Sequence, residues 1–265
     1  MSYKLVAIDL DDTLLNDDLE ISPANREAIE MAVEQGVVVI LSTGRMFCSA
    51  QRIAQSLHLN FPLLSYNGAL IKNTLDGKVL YSNYLPFSLA KNILEFLEPQ
   101  GYDLNCYVDD KLYVKEISPR IREYINVANV SAEAVGNLTS FLKTEPIKLL
   151  VLDEEKVLDR LAETLKRIYG EKITLAKSKP HYLDIVNKGV SKGIALKQIC
   201  QSFGFSPQEV IAIGDSYNDV DMIRFAGLGV IMGNARDELK KIADYVAPPN
   251  SEDGVAHVLK KFVLE

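Results

Sequence analysis

The sequence predicts an α/β fold in which a three-layer core with a parallel sheet is interrupted by an inserted α+β domain. Residues 1–82 and 188–265 alternate short apolar runs with segments of helical periodicity, as parallel sheets covered by helices do. Residues 83–187 instead show half-exposed strands that pair locally, and no strand–helix–strand unit ending in a carboxylate. We therefore assign the two flanking stretches to one core and the middle stretch to a separate domain.

The first part of the core begins with a buried strand. Leu5–Ile8 carries no charge and is too short for a helix, which favours a strand buried on both faces. A helix is predicted over residues 22–35, because Ser22 is a candidate N-cap and an apolar stripe follows it. The other predicted elements here are a strand at 37–41, a helix at 46–57 and a strand at 63–66.

The inserted domain contains two predicted hairpins. Asp109-Asp110 is expected to form the turn of the first one. The second hairpin joins Ile173–Ala176 to Tyr182–Val186. Further predicted elements of this domain are helices at 89–97 and 157–168 and a strand at 147–152. The core pattern then returns, with helices at 191–203, 218–226 and 253–262 and strands at 210–213 and 227–232.

Composition and charge exclude several classes of protein. The chain has 265 residues, 48% hydrophobic and 25% charged, which is typical of a globular protein of two modest domains. Its formal net charge of -7 argues against a nucleic-acid partner, and no apolar run is long enough to cross a membrane. Cys48, Cys106 and Cys200 show no paired spacing, so we expect reduced thiols and a cytoplasmic location.

Two carboxylates, Asp9 and Asp11, follow the first predicted strand. Parallel sheets bind ligands at the carboxyl ends of their strands, and alternate residues of an extended chain share a face. Such a pair can hold a hard cation while one carboxylate attacks phosphorus and the other transfers protons. The alternative is that both acids only form a turn, which aspartate favours.

Two further polar segments are candidates for binding an anion. Thr43 and Gly44 end the second strand and offer a hydroxyl and backbone N–H groups to phosphate oxygens, although a hydroxyl here also serves as a helix N-cap. Lys192 stands at a helix N-terminus, where the dipole disfavours a cation unless an anion lies between them. The alternatives are that Lys192 is a solvated surface lysine, or that Lys188 has this role.

The segment Gly214–Asp219, of the form GDxxND, follows the strand at 210–213. It puts Asp215 at a strand end and Asp219 in the next helical turn. Together with Asp9 and Asp11, Asp215 forms a hard oxygen site suited to magnesium.

These four segments together resemble, in the same order, the motifs of the haloacid dehalogenase-like (HAD) phosphohydrolases. Residues 5–13 are similar to the first motif, and the TGR form of residues 43–45 resembles the Cof-type branch. Tyr66–Ala69, Tyr182–Ile185 and Glu252–Val255 also resemble Cof-type proteins, so the resemblance covers the whole chain. It implies a Rossmann-like core, a large α/β cap formed by the inserted domain, and a phosphatase that depends on Mg2+.

The resemblance implies a role for each matching residue. Asp9 is expected to be the nucleophile that forms an aspartyl phosphate, and Asp11 the general acid and base. The metal is expected on Asp9, Asp11 and Asp215. The residues expected to bind the phosphoryl group are Leu10, Thr43, Gly44, Lys192 and Asn218. Arg45 and Asp219 are expected to support the site.

The substrate is expected to be a small phosphorylated metabolite, in particular a sugar phosphate. His181, just before the chain returns to the core, is expected to lie near the hinge and to contact it, unless it is an ordinary surface histidine. Asp12 replaces a commoner glycine and is expected to point away from the site, in a left-handed conformation that aspartate tolerates. We expect a monomer or a weak homo-oligomer.

Two other functions stay open at this point. A phosphosugar mutase shares the core and the type of cap, and returns the phosphoryl group to a sugar instead of water. A non-catalytic phosphoryl receiver has no need of Asp11 or of a cap of about 100 residues.

Overall fold

The computed structural model describes residues 3–265 and has the predicted α/β fold with a parallel sheet at its core. The chain forms two compact units. One unit consists of the segment that ends at Tyr81 together with Ser191–Glu265, and the other is Ser82–Val190. The boundaries predicted from the sequence are 82 and 187.

The chain begins with strands and helices in alternation. These elements are β1 (Leu5–Ile8), α1 (Pro23–Glu34), β2 (Val38–Leu41), α2 (Phe47–Ser56), β3 (Pro62–Ser65), β4 (Leu70–Asn73) and β5 (Val79–Ser82). Helix α1 begins after Ser22, whose side chain accepts a hydrogen bond from the backbone N–H of Asn25, which confirms the predicted N-cap. Strands β3, β4 and β5 form a small separate sheet.

The second unit is a mixed sheet with helices. Its elements are α3 (Phe87–Leu97), β6 (Asp103–Val108), β7 (Lys111–Val114), α4 (Pro119–Ala128), β8 (Ala132–Ala134), α5 (Leu138–Phe141), β9 (Lys148–Leu152), α6 (Glu155–Tyr169), β10 (Ile173–Ala176) and β11 (Tyr182–Asn187). The strand order is β10-β11-β9-β6-β7-β8, antiparallel except for the pair β7–β8. Both predicted hairpins are confirmed, and Asp109 and Asp110 form the first turn with positive φ values.

The last part of the chain completes the first unit. Its elements are α7 (Lys192–Phe203), β12 (Val210–Gly214), α8 (Val220–Phe225), β13 (Leu228–Ile231), α9 (Asp237–Lys240), β14 (Tyr245–Val246) and α10 (Gly254–Leu259). The main sheet has the order β14-β13-β12-β1-β2, and every neighbouring pair is parallel. All four residues of β1 are inaccessible to solvent, as expected for a strand with neighbours on both sides and helices on both faces.

Each unit has its own apolar core. In the second unit, one face of the sheet packs against α3, α5 and α6. In the first unit, β1, β2 and β12 pack against α7 and α8. Within residues 3–265 no helix has the length and hydropathy that crossing a bilayer requires.

Candidate active site

The carboxyl ends of β1, β2 and β12 meet at one edge of the parallel sheet. Ile8 is in register with Leu41 on one side and with Ile213 on the other. The N–H of Asp9 donates to the carbonyl of Ile213 at 3.0 Å, and the N–H of Ser42 donates to the carbonyl of Ile8 at 2.9 Å. The polar segments that follow these three strands therefore start side by side.

The residues after Asp9 form one wide turn, Leu10–Leu14, which two side-chain hydrogen bonds hold. The amide of Asn234 donates to the carbonyl of Asp12 at 2.8 Å. The hydroxyl of Thr13 donates to the carboxylate of Asp215 at 2.8 Å. The second bond joins the turn after β1 directly to the acid that follows β12.

Lys192 lies at the centre of the site. Its Nζ donates to Asp9 Oδ1 at 2.5 Å and to Asp219 Oδ1 at 2.6 Å, and its side chain is inaccessible to solvent. Ser191, the N-cap of α7, places Lys192 in the first turn of that helix. Lys188, the other candidate, belongs to the second unit, where it is 65% exposed and pairs with Glu171.

Burial and neighbouring charges shift the pKa values of Lys192 and Asp9. Burial by itself lowers the pKa of the Lys192 ammonium, but the charges of Asp219 and Asp9 and their hydrogen bonds outweigh it and raise that pKa above its ordinary value. Burial also raises the pKa of the Asp9 carboxyl. Lys192 acts in the opposite direction, lowering the pKa of Asp9, and neighbouring carboxylates raise it further.

Asp215 is a buried acid with an unusual pKa. Burial is the main reason that the pKa of this carboxyl rises to about 7, and the charges of Asp219 and Asp12 also raise it. Hydrogen bonds from Ser216 and Thr13 partly counteract the rise. The sequence predicts that Asp12 points away from the site, but its side chain is half-buried and its charge acts on Asp215. The left-handed conformation expected at Asp12 is present, with a φ of 60°.

Three of these carboxylates form a group that fits a divalent cation. One carboxylate oxygen from each of Asp9, Asp215 and Asp219 lies within 4.8 Å of the others, and all three residues are buried. Lys192 supplies one positive charge for three acids, so two negative charges are in excess when all three are ionised. Hard carboxylate oxygens with excess negative charge are what a divalent cation requires.

The carboxylate of Asp11 is held by Arg45. Arg45 Nη2 donates to Asp11 Oδ1 at 2.6 Å and Arg45 Nε donates to Asp11 Oδ2 at 2.9 Å, a bidentate pair in which Arg45 is only 10% exposed. The predicted metal set and the observed group thus share Asp9 and Asp215 and differ in the third member, which is Asp219 here. Arg45, which was expected near the site, thus fixes the second acid of the DxD pair.

The remaining predicted residues surround this group. Thr43 is fully buried, and its hydroxyl accepts a hydrogen bond from the N–H of Arg45 at 3.1 Å. Gly44 lies against Asn67, since a Cβ built on Gly44 would be 2.9 Å from Asn67 Oδ1. Asn218 Nδ2 donates to the same oxygen at 3.0 Å. Leu10, whose backbone N–H is the predicted contact, is fully buried at the start of the turn after β1.

His181 is exposed and lies in the second unit, in the turn that precedes β11. The expectation that it sits at the hinge is wrong, because the six residues of β11 separate it from the chain's return to the core. At about 3.3 Å per residue that is roughly 20 Å of strand. His181 lines a cavity of about 390 Å³ together with basic, acidic and apolar side chains that include Arg120, Lys179 and Tyr182.

Sequence reasoning gave no role to three residues that contact the site. Thr13 is the threonine of the DxDxT pattern, so the motif itself contains the signal. Asn67 belongs to the YNGA segment, which we noted only as a resemblance. Asn234 lies three residues after the end of β13, but it belongs to no pattern that we singled out, and only the fold brings it to the turn after β1.

Comparison with known families agrees with this geometry. The profile of the haloacid dehalogenase-like hydrolase family matches residues 6–259, nearly the whole chain. The chain therefore belongs to the haloacid dehalogenase-like hydrolases, as the four motifs predict, and it is an enzyme of their phosphatase class.

Individual relatives match over nearly their full length. The 5-amino-6-(5-phospho-D-ribitylamino)uracil phosphatase YcsE of Bacillus subtilis is 32% identical, with 100% of this chain and 97% of the relative aligned. A haloacid dehalogenase-like hydrolase from Bacteroides thetaiotaomicron is 31% identical with a TM-score of 0.89, and 98% and 99% of the two chains are covered. The subclass IIB sugar phosphatase BT4131 is 25% identical with a TM-score of 0.85 over 98% of both chains.

Proposed function

We propose that this protein is a magnesium-dependent phosphomonoester hydrolase that acts on small phosphorylated metabolites through an aspartyl phosphate at Asp9. The observation that carries the proposal is the buried group of Asp9, Lys192, Asp215 and Asp219 at the carboxyl edge of the sheet. The predicted cytoplasmic location and a monomeric or weakly associated state belong to the same proposal.

Asp9 is suited to nucleophilic attack because its carboxylate is held in place. Lys192 binds Asp9 Oδ1, which fixes the group and leaves Oδ2 to attack phosphorus in line. The ammonium of Lys192 also balances charge that develops on the phosphoryl oxygens, as do the hydroxyl of Thr43 and the backbone N–H groups of Leu10 and Gly44.

Asp11 is suited to proton transfer. It gives a proton to the leaving alkoxide and later takes one from the water that hydrolyses the aspartyl phosphate. Arg45 orients the Asp11 carboxylate through two hydrogen bonds, so the carboxylate is already positioned for proton transfer.

Asp9 and Asp215 are the residues that we assign to a bound Mg2+, with Asp219 as the third carboxylate and Asp11 as the further predicted ligand. The ion supplies charge neutralisation at the phosphoryl group when it is bound. Asp219 has a second task, since its Oδ2 accepts hydrogen bonds from the backbone N–H groups of Asp215 and Ser216 and thereby shapes the turn after β12.

Stabilisation by Mg2+ is expected to depend steeply on pH. The pKa of Asp215 in the metal-free protein is about 7, above its ordinary value of 3.8, so the folded protein binds more protons than the unfolded one between these values. Without metal, stability therefore falls as the pH rises through this interval. Metal binding requires the ionised form, so we expect about hundredfold weaker Mg2+ binding near pH 5 than near pH 8.

Thermal unfolding with and without MgCl2 at the two pH values measures this effect. Asp215→Asn is the control, because it should remove most of the Mg2+ stabilisation at both pH values. Equal stabilisation of the unchanged protein at both pH values would contradict the assignment of Asp215.

His181 is proposed to contact the leaving group of the substrate. His181→Ala should change kcat/KM for sugar phosphates by about fivefold to tenfold, the size of one lost hydrogen bond. Turnover of acetyl phosphate should stay unchanged, since leaving-group binding is separable from the chemical step. His58→Asn, at an exposed site of the first unit with positive φ, is the matched control. Equal losses on large and small substrates would remove His181 from this role.

A phosphosugar mutase is the second candidate, because it needs the same core and cap. A panel of phosphorylated sugars, nucleotides and the uracil intermediate named for YcsE, assayed with Mg2+ for released phosphate, separates the two. Hydrolysis gives stoichiometric phosphate, whereas a mutase converts a sugar phosphate without releasing it. Conversion without phosphate release would overturn the proposed hydrolase.

A further inference from the structure

The connection between β3 and β4 has an unusual backbone. Tyr66, Asn67 and Gly68 have φ values of 52°, 58° and 92°, three consecutive residues in the left-handed region. Four-residue connections between antiparallel strands are most often built around a type I turn, which needs no such run. Positive φ is costly for a bulky residue such as Tyr66, which is fully buried here. A conformation of this kind persists only where surrounding contacts hold it, and such turns cluster at functional sites.

The backbone of this turn contacts the segment that follows β2. The N–H of Tyr66 donates to the carbonyl of Arg45 at 3.0 Å, and the N–H of Asn67 donates to the carbonyl of Thr43 at 2.9 Å. The two residues with strained backbone are thus the ones that hold the Thr43–Arg45 segment in place.

The same turn also packs against the start of α7. A Cβ built on Gly68 would lie 2.5 Å from the carbonyl oxygen of Ser191, the N-cap residue that precedes Lys192. Only glycine permits both this approach and the φ of 92°. The left-handed turn therefore touches the helix that carries the lysine as well as the loop that carries the threonine.

The side chain of Asn67 reaches a third segment. Asn67 Oδ1 accepts a hydrogen bond from Asn218 Nδ2 at 3.0 Å and lies against Gly44, and Asn67 is only 2% exposed. Asn218 Oδ1 is buried and has no hydrogen-bond partner in the described part of the chain. The bond to Asn67 is thus what orients the Asn218 amide, and it leaves a buried oxygen and a second N–H of that amide for a ligand.

We propose that Asn67 is a positioning residue of the phosphate site, which sets the direction of the Asn218 amide and its distance from Thr43-Gly44. The proposal rests on the function proposed above, in which Asn218 and Gly44 contact the phosphoryl group. A donor that is already oriented needs no rearrangement when charge develops on the phosphoryl oxygens, so its effect is largest in the chemical step.

Asn67→Gly removes the side chain and keeps the freedom to adopt positive φ, which makes it the cleanest variant. We expect kcat/KM and the affinity for inorganic phosphate, measured by calorimetry with Mg2+, both to fall about tenfold. In an Asn218→Ala background the same change should cost less than about twofold, because the side chain acts through Asn218. His58→Gly, another residue with positive φ but exposed, should change neither quantity.

Asn67→Asp is the second variant, since it keeps an oxygen for Asn218 and tolerates positive φ. In the Asn67→Asp background, Asn218→Ala should lower kcat/KM by the same factor as it does in the unchanged protein, although the added charge weakens phosphate binding. Losses that simply multiply in the Asn67→Gly, Asn218→Ala double variant would overturn the proposal, as would an Asn67→Gly protein that differs only in unfolding temperature. Phosphate binding without hydrolysis of any substrate would reject the proposed function, and the coupling between Asn67 and Asn218 would still be decided by calorimetry.

Discussion

Asp9→Asn should abolish turnover while the protein stays folded. The amide cannot form an acyl phosphate and is a weaker metal ligand, so we expect phosphate release to fall at least about a thousandfold. Burial raises the pKa of Asp9, which means that the fold disfavours its charged form. A neutral isostere is therefore expected to be tolerated, since Lys192 keeps its contact with Asp219. Thermal unfolding of the variant then separates lost chemistry from lost folding.

Asp221→Asn is the matched control for this experiment. Asp221 carries the same carboxylate two residues after Asp219, but it is exposed and lies outside the GDxxND pattern. Its replacement should leave steady-state phosphate release unchanged. Activity of Asp9→Asn within about tenfold of the unchanged enzyme would contradict a covalent role for Asp9.

Lys192→Met is the second change with a large expected effect. Methionine keeps the unbranched stem and removes the ammonium that Asp9 and Asp219 share. We expect kcat/KM to fall about a hundredfold to a thousandfold, since a preorganised charge beside the reacting group is lost. The metal-free protein should also lose about 3–5 kcal/mol of unfolding free energy, because two buried carboxylates remain without their cation.

The loss of stability has a defined dependence on pH. Without Lys192 the pKa of the Asp9 carboxyl should rise further, since Lys192 is the charge that lowers it. The folded variant therefore takes up protons as the pH falls and regains stability. Unfolding should therefore differ most between the variant and the unchanged protein near pH 8 and least near pH 5. Lys188→Met, at an exposed lysine of the second unit, should leave both activity and stability unchanged. A silent Lys192→Met with a damaging Lys188→Met would reverse the assignment.

The sequence was sufficient to predict the residues that the ends of the parallel strands bring together. Asp9 and Asp215 follow short uncharged runs that favour buried strands, and the fold brings neighbouring parallel strands to one edge. Lys192 follows from the same logic, because a helix N-terminus is a poor place for a cation that has no anion beside it.

Contacts that depend on side-chain direction could not be predicted from the sequence. Nothing in the spacing of Asp9, Asp11 and Asp215 shows that Arg45 takes the carboxylate of Asp11 and that Asp219 completes the acidic group. His181 was misplaced because distance along the chain was equated with distance in space, although an extended strand intervenes. Helix α4 was missed even though Ser118-Pro119 is a standard start, since its flanking pattern was dominated by the hairpin before it.

The pairing of β1 with β12 affects how this chain folds during synthesis. Val6 is in register with Ile211, so the central pair of the main sheet closes a loop of about 200 residues and cannot form until most of the chain has been made. The strands of the second unit, in contrast, are all present once Val190 has left the ribosome. Strand β1 can pair with β2 early, but its other edge waits for β12 while the inserted unit folds. This apolar pair of strands is what a chaperone would be needed to shield.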